Sequence, residues 1–265
     1  DPKAPVLEVE NLTVTASRGV EVVKDVSFKV HEGEIVGIAG VSGNGQSELL
    51  ETLSGIRRAT RGTLKINGET IDLANRAPDA ADMRAKSMGH VPEDRHRMGL
   101  INSFAEYENS ILGYHRDPAY SKGLLLDLPA IKKNAVDEIE KYDIRPPNPM
   151  LKTANFSGGN QQKVVLAREI ERDPNILLVG QPTRGVDIGA IEFIHKRLIE
   201  LRDAGKGILL VSVELDEIRG LSDRVLVMFD GKVVGERGAD AEESDLGLLM
   251  AGIEDKKIAV EGDVQ

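Results

Sequence analysis

Apolar and polar residues alternate along Leu7–Val14 and Val20–Val30, with β-branched side chains on the apolar beat, and this pattern predicts two strands each with one buried face. Glu34–Ala39 is a short apolar run, read as a strand, that leads straight into a glycine loop. Ser47–Leu53 reads as a helix that stops near Gly55, and Gly62–Thr70 reads as a hairpin turning at Asn67-Gly68. Residues 78–86 are rich in alanine and charge and predict a helix, followed by a short strand or loop at Gly89–Pro92. From about residue 101 to 155 the texture changes to helical periodicity, as in Pro129–Tyr142, broken by Pro146-Pro147 and Pro149, so this stretch reads as an inserted helical subdomain.

The strand–helix alternation then returns. Asn160–Glu171 is expected to be a helix ending at Asp173-Pro174, and Ile176–Val179 a buried strand. Ile188–Ala204 predicts an amphipathic helix with Ile188, Ile191, Ile194, Leu198 and Leu201 on one face and Gly205 at its end. Gly207–Val213 and Arg224–Phe229 complete the strands, and the charged tail after Ile253 is expected to be loose. Alternation of this kind implies an α/β fold with a mostly parallel sheet.

Composition narrows the chemistry. The 265 residues suit a single α/β unit, and 40% hydrophobic content suits a packed core. Aromatics make up 3% with no Trp, which gives little support for stacking on RNA or carbohydrate. With 44 acidic and 34 basic residues the formal net charge is −10, which argues against a broad nucleic-acid surface. The absence of cysteine excludes disulfides, thiolate-bound zinc and cysteine nucleophiles. No apolar stretch reaches the length of a membrane span. The opening Asp1-Pro2-Lys3 reads as a cut inside a longer chain.

Three segments carry candidate chemistry. Gly40 to Ser47 fits the phosphate-loop frame G-x-x-x-x-G-K-[ST] between a predicted strand and a predicted helix, with Gln46 in the lysine place. Its glycines free backbone N–H groups to face an anion, and the helix start adds partial positive charge. Gly40, Ser42, Gly43, Asn44, Gly45, Gln46, Ser47 and Glu48 are therefore candidate nucleotide-binding residues, with the Ser47 hydroxyl a weak candidate for Mg²⁺. Read by itself, the same loop is also a plain glycine turn. The second segment is Ser157-Gly158-Gly159-Asn160-Gln161, two glycines directly before a helix, with helix capping by Ser157 as the plainer alternative. The third is Ile176–Thr183 followed by Gly185-Val186-Asp187. The charge run Glu93-Asp94-Arg95-His96-Arg97 stands either as a solvated loop or as a partner contact. The five histidines show no metal-like spacing, and His195 is expected to be solvated beside Lys196 and Arg197.

These segments, in this order and over about Leu7–Ile253, resemble the nucleotide-binding domain of ABC (ATP-binding-cassette) transporters. Gly43–Leu49, Pro92–Arg95 and Gln181–Gly185 are similar to the second cassette of tandem ATPases in simple-sugar and nucleoside importers. The loss of Asp-Glu before Pro182-Thr183 tilts the likeness to the nucleoside branch. The resemblance implies a P-loop ATPase core, with a mostly parallel sheet and an antiparallel β subdomain, carrying the helical insert at 101–155. It implies one domain over 1–265, a linker at 1–5 from an amino-terminal cassette and a loose tail at 254–265.

The resemblance also assigns roles. Ser157–Gln161 would be the signature lent in trans to a partner cassette, Asp187 would end the loop after the strand, and Glu93 would stand where a glutamine senses Mg²⁺ and the membrane partner. Gly180 and Gln181 replace the metal-supporting Asp and the catalytic Glu, Val213 replaces the γ-phosphate histidine, and no adenine-stacking aromatic occurs in Thr13–Arg18. All of these losses belong to the set a cassette uses on its own ATP, whereas the set it lends is intact. The implied cofactors are ATP and Mg²⁺, held weakly or not at all here. The implied partners are the amino-terminal cassette, transmembrane permease subunits and, indirectly, an extracytoplasmic solute-binding protein, at the cytoplasmic face of a membrane and without nucleic acid. A non-catalytic nucleotide-binding scaffold and a non-transport ABC protein acting on ribosomes or DNA are the alternatives.

Overall fold

A computed structural model describes residues 3–73, 77–238 and 240–253. The expected loose tail at 254–265 and the first two residues of the expected linker lie outside the described residues. In chain order the elements are β1 (Pro5–Thr15), β2 (Glu21–His31), β3 (Ile35–Ala39), α1 (Gln46–Leu53), β4 (Arg61–Ile66), β5 (Glu69–Asp72), α2 (Ala80–Ala85) and β6 (Met88–Val91). A π-helical turn at Arg95–Gly99 follows, and over 101–155 come α3 (Glu106–Asn109), a small hairpin of β7 (Ser121–Lys122) and β8 (Leu125–Leu126), α4 (Leu128–Lys141) and a 3₁₀ turn at Thr153–Asn155. Then come α5 (Gly158–Ile170), β9 (Ile176–Gly180), α6 (Ile188–Asp203), β10 (Gly207–Val211), α7 (Leu215–Leu221), β11 (Arg224–Phe229), β12 (Lys232–Gly238) and α8 (Glu243–Met250).

Two sheets organise these elements. An antiparallel sheet runs β2-β1-β4-β5. A six-stranded sheet runs β12-β11-β3-β10-β9-β6, parallel except for β12 at its edge. β3 shows why its sequence carries no polar beat: all five residues are buried. Val36 and Ile38 join the core shared with the antiparallel sheet, among Leu7, Leu12 and Leu64. Ile35 and Ala39 join the opposite core, with Leu177, Val179 and helix residues such as Ile194 and Leu198. α5, α6, α7 and α8 on one face, and the second sheet together with α1 on the other, thus close a three-layer α/β domain. Parallel strands send their carboxyl ends to one edge, where α/β proteins place ligands. Residues 40–47 after β3, 92–95 after β6, 181–187 after β9 and 212–213 after β10 all emerge at that edge.

Several expectations change. Between 101 and 155 α4 is the one long helix, with a four-residue α3 and a two-stranded hairpin beside it. Ile111, Tyr120 and Ile131 give this region a small core of its own. β10 ends at Val211, so Ser212 and Val213 lie in the following loop and not in the strand. α5 starts at Gly158 because Ser157 caps it, its Oγ accepting the Asn160 N–H at 3.3 Å. On α6 the buried stripe is Ala190, Ile194, Leu198 and Leu201; Ile188, the first helical residue, is 76% exposed. The hydrophobic pattern does not reveal α7, β12 and α8, because each is short or polar on one side. Among the described residues no helix is long and apolar enough to cross a membrane.

Candidate functional site

The glycine loop is shaped by its backbone. Gly43 and Gly45 have φ of 92° and 98°, a left-handed conformation that side chains disfavour. At Gly45 a Cβ would also stand 2.3 Å from the Val22 carbonyl oxygen, so the loop passes tightly against β2. Asn44 ties the loop to the β11–β12 turn, its Oδ1 accepting the Asp230 N–H at 3.1 Å and its carbonyl the Gly231 N–H at 3.1 Å. Glu48 sits in the first turn of α1, where a carboxylate complements the helix dipole.

Gln46 does not extend outward as a phosphate-binding lysine would. It is 5% exposed, and its Nε2 donates to the Val41 carbonyl at 3.1 Å. A Cβ at Gly40 would collide with the same Nε2. The amide therefore fills the interior of its own loop.

Ser47, the next residue, donates its hydroxyl to Oε2 of Glu93 at 2.5 Å. Glu93 enters from the end of β6, and the space it uses exists because residue 180 is glycine: a Cβ there would lie 2.5 Å from Glu93 Cγ. Burial pushes the Glu93 carboxyl above its ordinary value, with Glu51 and Glu48 acting the same way and the Ser47 hydrogen bond and Arg184 opposing. Beyond β9, Gln181 adopts a left-handed φ of 46°, donates its N–H to the Val211 carbonyl at 2.8 Å and accepts the Val213 N–H on Oε1 at 3.3 Å. Ser42, Gln46, Ser47, Glu93, Gln181 and Val213 line one cavity of about 340 Å³. A larger cavity of about 770 Å³ shares Ser42, Gln181 and Val213 and extends to His195 and Glu217. His195 departs from its expected solvated state: its Nε2 lies 2.9 Å from Glu217 Oε1, because α7 packs across α6 at that point.

The charge run 93–97 is neither a free loop nor uniformly wet. Asp94 Oδ1 caps the π-helical turn by accepting the N–H groups of His96 and Arg97 at 3.0 and 3.1 Å. Arg95 turns inward, with Nη1 donating to the Arg184 carbonyl at 2.8 Å and Nη2 to that of Gly185 at 3.3 Å.

The segment Ser157–Gln161 lies apart: none of these residues lines either cavity. Its glycines answer to packing. A Cβ on Gly158 would stand 2.6 Å from the Gly185 oxygen, and one on Gly159 would stand 2.8 Å from Asp187 Oδ2. Asp187 itself caps α6, accepting the Ala190 N–H at 2.9 Å. Ser157 is exposed and Gly158 and Asn160 are half-buried, whereas Gly159 is buried and so is Gln161, whose Nε2 donates to the Thr153 carbonyl at 3.0 Å, so the accessible residues of the segment are Ser157, Gly158 and Asn160.

The Ser47 hydroxyl and Glu93 carboxylate offer two hard oxygen donors suited to Mg²⁺. Among the described residues no group of three or more His, Asp or Glu could hold a metal ion unaided. A magnesium ion here would thus share its coordination with phosphate oxygens and water.

The sequence profile described as ABC transporter matches residues 23–184. The chain belongs to the ABC transporter family. Its relatives include the guanosine import ATP-binding protein NupO of Bacillus subtilis, 46% identical over 258 residues, spanning 97% of this chain and 50% of that protein. The nucleoside import ATP-binding protein NupA of Lactococcus lactis is 44% identical over 252 residues, spanning 95% of this chain and 49% of the relative. The chain spans about half the length of these curated relatives. A solved ATP-binding cassette, a dimer in a post-hydrolysis state bound to ADP and Pi, superposes with a TM-score of 0.75 at 25% identity, covering 89% of this chain and all of that one. The three-layer α/β domain is therefore an ABC-type P-loop ATPase fold.

Proposed function

We propose that this ABC cassette is one half of the ATP-hydrolysing protein of a nucleoside importer, and that its contribution is the segment Ser157–Asn160, presented to the ATP held by a second cassette. Its own glycine loop holds nucleotide weakly and does not hydrolyse it. The observation that carries this reading is the gathering of Gln46, Gln181 and Val213 around one cavity, with Gly180 behind it, while Ser157–Asn160 and Asp187 are packed intact elsewhere. A glutamine at 181 can orient water but cannot take its proton, and loss of a general base typically costs two to four powers of ten in rate. With no lysine at 46 the loop also lacks the charge that meets the phosphates.

The length of the relatives supports a second cassette in the same polypeptide, and the guanosine and nucleoside import of NupO and NupA supports nucleosides as the solute over simple sugars. Permease subunits in the membrane, a solute-binding protein outside it and a place at the cytoplasmic face complete the reading. In the full-length protein Ser157→Arg is expected to abolish ATP turnover, while Ser47→Ala leaves most of it. The chain 1–265 alone is expected to turn over ATP negligibly. Robust turnover by 1–265 that Ser47→Ala abolishes overturns the reading.

The burial of the Gln46 amide inside its loop favours a second reading, in which the loop takes no nucleotide and the cassette is a scaffold for its partner. Titration of ATP with and without Mg²⁺ separates the two: no binding under either condition selects the scaffold.

A further inference from the structure

The geometry points to Arg95 as a positioning residue that sets the first turn of α5, Ser157–Asn160, against the loop leading to Asp187. This inference rests on the reading that Ser157–Asn160 serve a second cassette. Arg95 projects from a turn whose backbone Asp94 has already fixed. Its guanidinium meets three acceptors on two separate elements: the carbonyls of Arg184 at 2.8 Å and Gly185 at 3.3 Å, and Oε1 of Gln161 at 3.4 Å. Gln161 continues the chain of contacts by donating Nε2 to the Thr153 carbonyl at 3.0 Å.

Gly158 makes the arrangement possible. A Cβ there would lie 2.7 Å from Nη2 of Arg95 and 2.6 Å from the Gly185 oxygen, so the helix start rests directly on the guanidinium and on the carbonyl it binds. A planar fork with five donors can hold three acceptors in a fixed relation, whereas an ammonium is a point charge that cannot span them. Ser157 and Asn160 are exposed or half-buried, so beside the packing of Phe156 and Gly159 directional bonds are needed to fix where this turn points relative to Asp187. Small displacements of a group that must meet a transferring phosphate are costly, about a hundredfold for roughly 1 Å.

The test uses the full-length protein with its permease in liposomes, carrying Arg95→Ala, Arg95→Lys or Ser157→Arg. Arg95→Ala is expected to lower kcat for ATP about tenfold or more with KM within about twofold, and to speed amide exchange over residues 157–162 while melting stays cooperative. Arg95→Lys is expected to recover part of the rate, and it carries the comparison if Arg95→Ala does not fold. Unchanged kcat in Arg95→Ala alongside inactive Ser157→Arg overturns the role of Arg95 and leaves the two-cassette reading standing. Unchanged turnover in Ser157→Arg overturns that reading, and unchanged exchange at 157–162 overturns the positioning role independently. Equal loss in Ala and Lys variants with loss of cooperative melting marks a general structural part and also overturns it.

Discussion

Glu93 occupies the room that the missing side chain of Gly180 leaves. A Cβ at 180 would lie 2.5 Å from Glu93 Cγ and 2.6 Å from Leu50 Cδ2, and the space holds a carboxylate that takes a 2.5 Å hydrogen bond from Ser47. The acidic group that the resemblance would place at the end of β9 is absent, and one from the end of β6 stands beside Ser47 in its stead.

Gly180→Asp should therefore destabilise the chain by about 1–3 kcal/mol through overpacking. Glu93→Ala removes one of the two colliding groups, so the double variant should recover part of the loss, with Leu50 still in the way. Urea denaturation of the four members of the cycle measures the coupling. Additive losses would show that the two positions do not share the space.

Gln46→Lys places an ammonium where the loop now carries an amide bonded to Val41. Charged hydrogen bonds to phosphate contribute roughly 1.5–3 kcal/mol, so ATP affinity of chain 1–265 should rise about ten- to a hundredfold by calorimetry. Turnover should remain negligible, because Gly180 and Gln181 are unchanged.

The segment 101–155 holds a buried acid pair, Glu106 and Glu138. Burial pushes Glu106 up to about 9, with Glu138 adding to the effect, and burial pushes Glu138 up to about 7. Among the described residues neither carboxyl oxygen of Glu106 has a hydrogen-bond partner. A carboxyl whose folded value is raised contributes stability in full below its unfolded value of 4.5 and loses it as pH rises through the folded value. Melting temperature should accordingly fall between about pH 5 and 9, and Glu106→Gln should flatten that fall. An identical pH profile in the variant refutes the assignment.

Gly159→Ala would set a Cβ 2.8 Å from Asp187 Oδ2 and 2.8 Å from Ala190 Cβ. The expected cost is about 1–3 kcal/mol, read by urea denaturation, with faster amide exchange at the start of α6 where Asp187 is the cap. No change in either would show that the glycine is required for something other than this packing.

Features written in neighbouring residues are legible in the amino-acid order itself: the apolar run of β3, the glycine turn before α1, the Ser157 cap, and the order of motifs that marks the family. Backbone conformation and helix starts depend on residues a few positions apart, so a local pattern suffices for them. The sequence likewise names Gln46, Gly180, Gln181 and Val213 as departures one by one. Only the tertiary structure decides what those departures do together. Glu93 meets Ser47 and Gly180 across three different strand ends, and Arg95 joins the 184–185 turn to Gln161 of α5. His195 finds Glu217 only because α7, itself absent from the pattern, crosses α6. Such contacts depend on the order in which parallel strands stack, β6 beside β9 beside β10 beside β3, and that order is set by the packing of two cores and not by any run of residues along the chain.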